Sequence, residues 1–209
     1  MHGAQPPPRP GSSGPATPAA RPDDPHGNAA QADRPHSLDG EGETRSILPL
    51  RDIAFADAAS LLASYGLRLH LLDDGAPIPG SYWGEPEAGI VGCDVYVRGD
   101  TPVHSMLHEA CHLIVLPGEQ RQAVHTDATD SVEEEDAVCL LQALLGDALP
   151  GVGRDRVLAD MDAWGYTFRL GSARAYFEDD ADAAWDWLRE RGFVDARRGL
   201  RPPGGRDTA

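Results

Sequence analysis

The amino-acid sequence predicts an α+β domain in which a small antiparallel or mixed sheet packs against several helices. The prediction depends on the order of the patterns along the chain: one helical pattern, then two short β-type segments, then helical patterns only. It also depends on length, because about 150 residues remain once the two low-complexity ends are set aside. That length is enough for one domain with one hydrophobic core.

The first half of this domain is predicted to contain one helix and two strands. A helix is expected over residues 50–66, where Ile53, Ala58 and Leu62 share one stripe and Gly66 ends the pattern. Residues 67–72 alternate like a strand. After a turn-rich loop, residues 90–98 are rich in β-branched side chains, which is typical of a second strand.

The second half is predicted to be helical. Thr101 followed by Pro102 suits an N-cap with proline at the first helical position, so a helix is expected from there to Pro117. Three further helical patterns follow, each ending at a glycine. They cover residues 131–146, 154–165 and 181–192.

Both ends of the chain are predicted to be disordered. Residues 1–45 consist mainly of proline, glycine, alanine and small polar residues, and residues 196–209 have a similar composition. Such segments cannot bury enough apolar surface to offset the entropy lost on ordering. The expected organisation is therefore a disordered extension (1–45), a single domain (46–195) and a disordered tail (196–209).

Charge and composition exclude some classes of partner. The formal net charge is −16, and all 18 cationic side chains are arginine. This balance argues against general binding to nucleic acids or anionic membranes, which need clustered cations. There is no apolar run long enough to span a bilayer and no apolar signal region, so we expect a cytoplasmic protein. The three cysteines form no CxxC pair and are expected to be reduced thiols.

The segment with most chemical content is "LHEACHLIVL", in which His108, Glu109 and His112 form an HExxH pattern. On a helix, positions i and i+4 lie on one face about 5–6 Å apart, so both imidazoles can reach one ion. Zinc accepts histidine nitrogen at about 2.0–2.1 Å. An acid beside the first histidine can take a proton from metal-bound water. We therefore predict a metal site in which His108 and His112 are ligands and Glu109 is the general base.

A hydrolytic zinc site needs a third protein ligand. The helical pattern after residue 131 offers three consecutive acids, Glu133, Glu134 and Glu135. Glu134 shares a stripe with Ala137, Leu141 and Leu145, the apolar face expected to pack on the histidine helix. Its alternative role is in a capping box with Ser131, and all three acids suit a helix N-terminus. Glu134 is the predicted ligand, and Glu133 and Glu135 stay open as alternatives.

These two segments resemble the ImmA/IrrE-type metallopeptidases, a zincin-like family. The resemblance covers about 60 residues, Gly89 to Leu145, and includes the HExxH motif, the preceding "GIVGCDVYVRG" segment and a second motif, E-x-x-A-x-x-F-A-x-x-L-L. In that motif Glu134 takes the place of the ligand glutamate and Ala137 that of the alanine. The resemblance implies a zincin-like fold, zinc as cofactor, and a peptide or protein as substrate. Cys111 in place of the usual glycine departs from the pattern.

Several residues near the motif have competing interpretations. His104 extends the histidine row by one turn and is expected to be solvated or a partner of the ligands. Cys111 is expected to be a packed thiol. Tyr82, Arg121 or His125 could donate a hydrogen bond to an oxyanion, although each also suits surface or packing, as does Trp83. Five later aromatic residues are expected to belong to the core: Trp164, Tyr166, Phe168, Trp185 and Trp187.

The sequence therefore predicts a zinc-dependent hydrolase, specifically a metallopeptidase. Two other classes stay open. Two histidines and one carboxylate also suit a non-haem Fe²⁺ oxygenase. A non-catalytic interaction domain stabilised by a metal would share the same ligands. Metal content and the effect of changing Glu109 distinguish these classes.

Overall fold

The α+β class is confirmed by the computed structural model, which describes residues 46–81, 84–126 and 131–203. Within these ranges the chain forms seven α-helices and a three-stranded mixed sheet. The strands are β1 (Arg68–Leu71), β2 (Gly89–Val91) and β3 (Asp94–Val97). The helices are α1 (Phe55–Ser64), α2 (Val103–Val115), α3 (Gly118–Arg121), α4 (Val132–Gly146), α5 (Arg154–Trp164), α6 (Ala173–Asp179) and α7 (Asp182–Glu190).

The sheet has the order β1-β3-β2. β1 and β3 are parallel, from Arg68↔Asp94 to Leu71↔Val97, and β2 is antiparallel to β3. The segment 90–98, predicted as one strand, is therefore a hairpin. Its two-residue loop begins with Gly92, which has a φ of 62°, and glycine at the first loop position is a known hairpin signal.

Helices α2 and α4 form the centre of the domain. α2 packs against β2, β3, α4 and α5, and α4 also contacts α5 and α7. Nearly all of α2 is buried, and α4 is buried on every side from Ala137 to Gly146. None of the helices in the described ranges is both long and apolar enough to cross a lipid bilayer.

The structure also differs from the sequence prediction elsewhere in the chain. The helix expected over 50–66 is a short 3-10 turn (Leu50–Asp52) followed by α1. Helix α6 was not predicted, although Ser172 caps it by accepting a hydrogen bond from the backbone N–H of Ala175 at 3.1 Å. The start of the expected tail is ordered, because the carboxylate of Asp195 accepts the N–H groups of Arg197 and Gly199 in a tight turn.

This turn also corrects the boundary at residue 196. A β-bridge between Val194 and Leu200 closes the turn, so the described part of the domain continues to residue 203. The predictions for residues 1–45 and 204–209 lie outside the described residues.

Candidate metal centre

The two histidines of the HExxH pattern meet on one face of α2. The Nε2 atoms of His108 and His112 are 3.1 Å apart, and their ring planes are inclined at 85°. One helical turn separates the residues, which is the spacing expected to bring i and i+4 side chains together. Both side chains are mostly buried, with 14% and 10% of their surface exposed.

A carboxylate from α4 completes the group. The Oε1 atom of Glu135 lies 3.3 Å from Nε2 of His108, and its Oε2 atom lies 3.5 Å from Nε2 of His112. One ligand atom from each of the three residues lies within 4.8 Å of the others. This corrects the choice among the three acids, since the structure brings Glu135 to the histidines in place of Glu134.

The correction has a physical reason in the burial of α4. The choice of Glu134 assumed that only one apolar face of α4 would be covered, whereas α4 is buried on all sides over most of its length. Hydrophobicity therefore does not identify the side that faces α2. Polar residues do identify it: Glu135, Cys139 and Gln142 fall on one stripe, and Gln142 contacts His108.

Glu134 stands at the beginning of α4. Its backbone N–H donates to the hydroxyl of Ser131, the N-cap residue, at 3.4 Å, and the Ser131 hydroxyl donates to the carboxylate of Glu133 at 2.8 Å. If Glu135 takes the place of the ligand glutamate, every later position of the family's second motif also moves by one residue along this chain. Three residues after Glu135 the chain has Val138 where the family pattern has alanine, so the resemblance then depends on the HExxH motif and the segment before it.

The protonation state of His112 suits a metal ligand. Burial lowers the pKa of His112 well below its usual value of 6.5, and the neighbouring His108 lowers it further. His112 is therefore neutral near pH 7 and does not provide a positive charge opposite the carboxylate. A neutral imidazole and an ionised carboxylate are the protonation states that bind metal ions.

The three contacts, of 3.1, 3.3 and 3.5 Å, join four atoms, because the two distances from Glu135 end on different carboxylate oxygens. Two imidazoles and a carboxylate at this spacing could hold one metal ion. The donor set suits zinc and Fe²⁺ alike.

Glu109 is next to this group in the sequence, and Tyr166 contacts it. Glu109 follows His108 on α2 and is buried, with 8% of its surface exposed. The ring of Tyr166 meets that of His108 edge-on, with centroids 6.0 Å apart. Burial raises the pKa of Tyr166 well above 10, and the charges of Glu135 and Glu109 add to the rise. The charges of both carboxylates thus act on a phenol whose ring contacts His108.

His104 is buried one helical turn before His108 and is not solvated as expected. It is only 1% exposed, and its ring contacts Trp164 and Tyr166 at centroid distances of 5.5 and 5.8 Å. The indole N–H of Trp164 donates to Glu87 at 2.9 Å, which ties the loop before β2 to the end of α5. Trp164 and Tyr166, predicted as core residues only, therefore border the histidine row.

The other candidates do not join the group. Arg121 is buried and donates to the backbone oxygens of Leu116, Tyr65 and Ile114, so its guanidinium caps the end of α2. His125 is exposed, and its Nδ1 contacts the hydroxyl of Thr126 at 2.7 Å. Tyr82 and Trp83 lie outside the described residues.

Cys111 is a fully buried thiol whose pKa is raised by burial, which agrees with a packing role. Gln142 belongs to the site but was not among the residues predicted from the sequence. The signal that could have identified it is a single amide side chain within the otherwise apolar run "AVCLLQALLG".

The chain was compared with family models, with curated proteins and with solved structures, and no match was found in any of the three.

Proposed function

We propose that the protein is a zinc-dependent hydrolase whose metal ligands are His108, His112 and Glu135. The observation that carries the proposal is the meeting of both histidines of one HExxH helix with a carboxylate from the neighbouring helix α4, with their ligand atoms within 4.8 Å of one another. Three protein ligands leave the fourth position to water or substrate, as in catalytic zinc sites. The partial exposure of all three side chains, 10–16%, is consistent with access from solvent.

The chemistry can be assigned to residues of the chain. Zinc, when bound, lowers the pKa of a coordinated water to about 7 and polarises a substrate carbonyl. Glu109, next to His108 and largely withdrawn from solvent, accepts the proton of the attacking water and passes it to the leaving nitrogen. The zincin-like fold and the peptide substrate are part of this proposal and follow from the resemblance in the HExxH segment.

A first experiment tests the metal. Protein purified without added metal is analysed for zinc and iron, alongside His108→Ala. We expect one zinc per wild-type chain and a loss of most of it in the variant. Stoichiometric iron, with oxygen-dependent turnover, would replace the hydrolase proposal by the oxygenase alternative.

A second experiment tests the base. Glu109→Gln is compared with wild type on a library of internally quenched peptides, and Glu119→Gln, an exposed acid at the start of α3, is the matched control. Glu109→Gln should keep its zinc and lose hydrolysis, whereas Glu119→Gln should keep both. Undiminished cleavage by Glu109→Gln would remove the proposed base. A metal-loaded wild type that cleaves no peptide in the library would contradict the peptidase assignment.

A further inference from the structure

Gln142 forms the most buried polar contact of the candidate metal centre. The residue is completely buried, and its Oε1 atom lies 2.6 Å from Nδ1 of His108. It follows Glu135 by seven residues, which is two turns of α4, so both side chains point to the same side of the helix. A buried amide is costly unless it forms hydrogen bonds, and Nε2 of Gln142 has no partner among the described residues. The contact with His108 is therefore a specific feature of this helix face.

The contact favours one position for the proton of His108. A carbonyl oxygen only accepts hydrogen bonds, so the nitrogen that faces it must be the donor. We propose that Gln142 holds neutral His108 with its proton on Nδ1 and thereby keeps a lone pair on Nε2, the atom that faces Glu135 and His112. Gln142 is then a positioning residue, and its importance for metal binding rests on the proposed function.

The two imidazoles differ in the hydrogen-bond partners of their Nδ1 atoms. Nδ1 of His112 is buried and has no hydrogen-bond partner among the described residues, whereas Nδ1 of His108 has the short contact with Gln142. Partners of this kind fix the ring orientation and tautomer of metal-binding histidines, and their loss costs about 10–100-fold in metal affinity. Gln142 therefore fixes the direction of the Nε2 lone pair of His108, while Nδ1 of His112 has no corresponding partner among the described residues.

The tautomer can be measured without any metal. Long-range ¹H–¹⁵N correlation spectra of the chelator-treated protein at pH 8 distinguish a proton on Nδ1 from one on Nε2. Wild type should carry the His108 proton on Nδ1. Gln142→Glu keeps an accepting oxygen on a side chain of the same length and should keep this tautomer, whereas Gln142→Met should lose it. A wild-type His108 protonated on Nε2 would overturn the inference, whatever the protein binds.

Zinc affinity provides the second measurement, by competition with a chromogenic chelator. Gln142→Met should bind zinc about 10–100-fold more weakly than wild type, and Gln142→Glu should bind at least as tightly as wild type. Gln122→Met is the matched control, because that amide contacts Cys93 at 3.3 Å and is not part of the centre. Equal affinity in wild type and Gln142→Met would contradict the inference. Absence of zinc binding in wild type would contradict the proposed function and leave the tautomer result standing.

Folding is the remaining control. If Gln142→Met does not fold, the wild-type spectrum still decides the tautomer. Gln142→Asn, which shortens the side chain by one carbon, then takes the place of Gln142→Met in the affinity measurement. The expected result for Gln142→Asn is the same loss of affinity and of the Nδ1–H tautomer.

Discussion

The carboxylate of Glu135 lies 3.3 Å from Nε2 of His108, whereas Glu134, one residue earlier, is not in the group of three residues that could hold a metal ion. Adjacent helical residues point about 100° apart, so only one of the two can face α2. Both occupy the first turn of α4 and interact similarly with the helix dipole. They therefore form a matched pair in which position relative to the histidines is the main difference.

The first prediction uses this pair. Glu135→Gln should lower zinc affinity by more than about 100-fold, because loss of an outer partner alone costs about 10–100-fold. Glu134→Gln should bind zinc as wild type does. Chelator competition measures both affinities, and unfolding in urea checks that both variants fold. Loss of zinc in Glu134→Gln with retention in Glu135→Gln would restore the ligand expected from the sequence.

The histidine helix is the part of the site that could be predicted from the sequence. His108, Glu109 and His112 belong to one helix, and local periodicity is sufficient to place them on that helix. Which acid of α4 faces the histidines depends on how α4 is rotated against α2, and that rotation is a tertiary property. Because α4 is surrounded by α2, α5 and α7, its apolar pattern has no single inward face.

The fold shows the same division between local and tertiary information. Most of the helices and β1 follow from local patterns, whereas the parallel pairing of β1 with β3 depends on contacts between distant segments. The hairpin at Gly92 was missed because the β-branched residues on both sides make one continuous strand pattern. Tyr166 was assigned to the core for its aromatic character. Its contact with His108 depends on the path of the chain after α5.

The second prediction concerns His104, a buried histidine with no hydrogen-bond partner among the described residues for either ring nitrogen. Burial lowers its pKa to about 3, and His108 contributes to the shift. The unfolded chain takes up a proton near pH 6.5, whereas the folded protein does not, so stability falls as the pH drops from about 6.5 towards 3. The free energy of unfolding should therefore be about 2 kcal/mol lower at pH 5 than at pH 7.

His104→Phe removes this proton uptake and keeps an aromatic ring against Trp164 and Tyr166. The free energy of unfolding, measured with urea in the presence of a chelator, should therefore fall less between pH 7 and pH 5 in the variant than in wild type. His112 also contributes to the wild-type dependence, so only the difference between the two proteins is diagnostic. Identical pH dependences would show that His104 is not held neutral by the fold.

The third prediction concerns Asp94, which joins the two parallel strands. Its carboxylate accepts two hydrogen bonds from Arg68 at 2.6 Å and lies 2.6 Å from Nε2 of His70. The bonds from Arg68, and then the contact with His70, lower the pKa of Asp94 from 3.8 to about 2. A lowered carboxylate pKa stabilises the fold above pH 3.8, and this stabilisation is lost as the pH falls towards 2.

Asp94→Asn should lower the free energy of unfolding by about 1 kcal/mol at pH 7. This is less than the pKa shift alone would give, because solvent screens the exposed Arg68. The cost should shrink in 1 M salt and disappear near pH 2. Asp73→Asn, at an exposed position before the turn that follows β1, is the control and should change stability by less than about 0.5 kcal/mol. A cost for Asp94→Asn that is the same at pH 7 and pH 2 would rule out an electrostatic origin.

The fourth prediction concerns Gly89, which begins β2 at a close approach of two backbone segments. A Cβ atom at this position would lie 2.1 Å from the carbonyl oxygen of Pro79 and 2.5 Å from the backbone nitrogen of Ser81. Ser81 and Gly89 form a β-bridge, so neither backbone can move without breaking it. Gly89→Ala should therefore destabilise the protein by about 1–3 kcal/mol, the usual cost of overpacking.

Gly118 provides the comparison because it begins α3 and a Cβ atom added to it would meet no other atom within 4 Å. Gly118→Ala should leave the free energy of unfolding within about 0.5 kcal/mol of wild type. The strain at Gly89 should also extend to the candidate metal centre, since the N–H of the preceding Ala88 donates to Ser105 on α2 at 3.0 Å. We therefore expect weaker zinc binding in Gly89→Ala and unchanged binding in Gly118→Ala. A stable Gly89→Ala variant would show that the two backbones can separate at little cost.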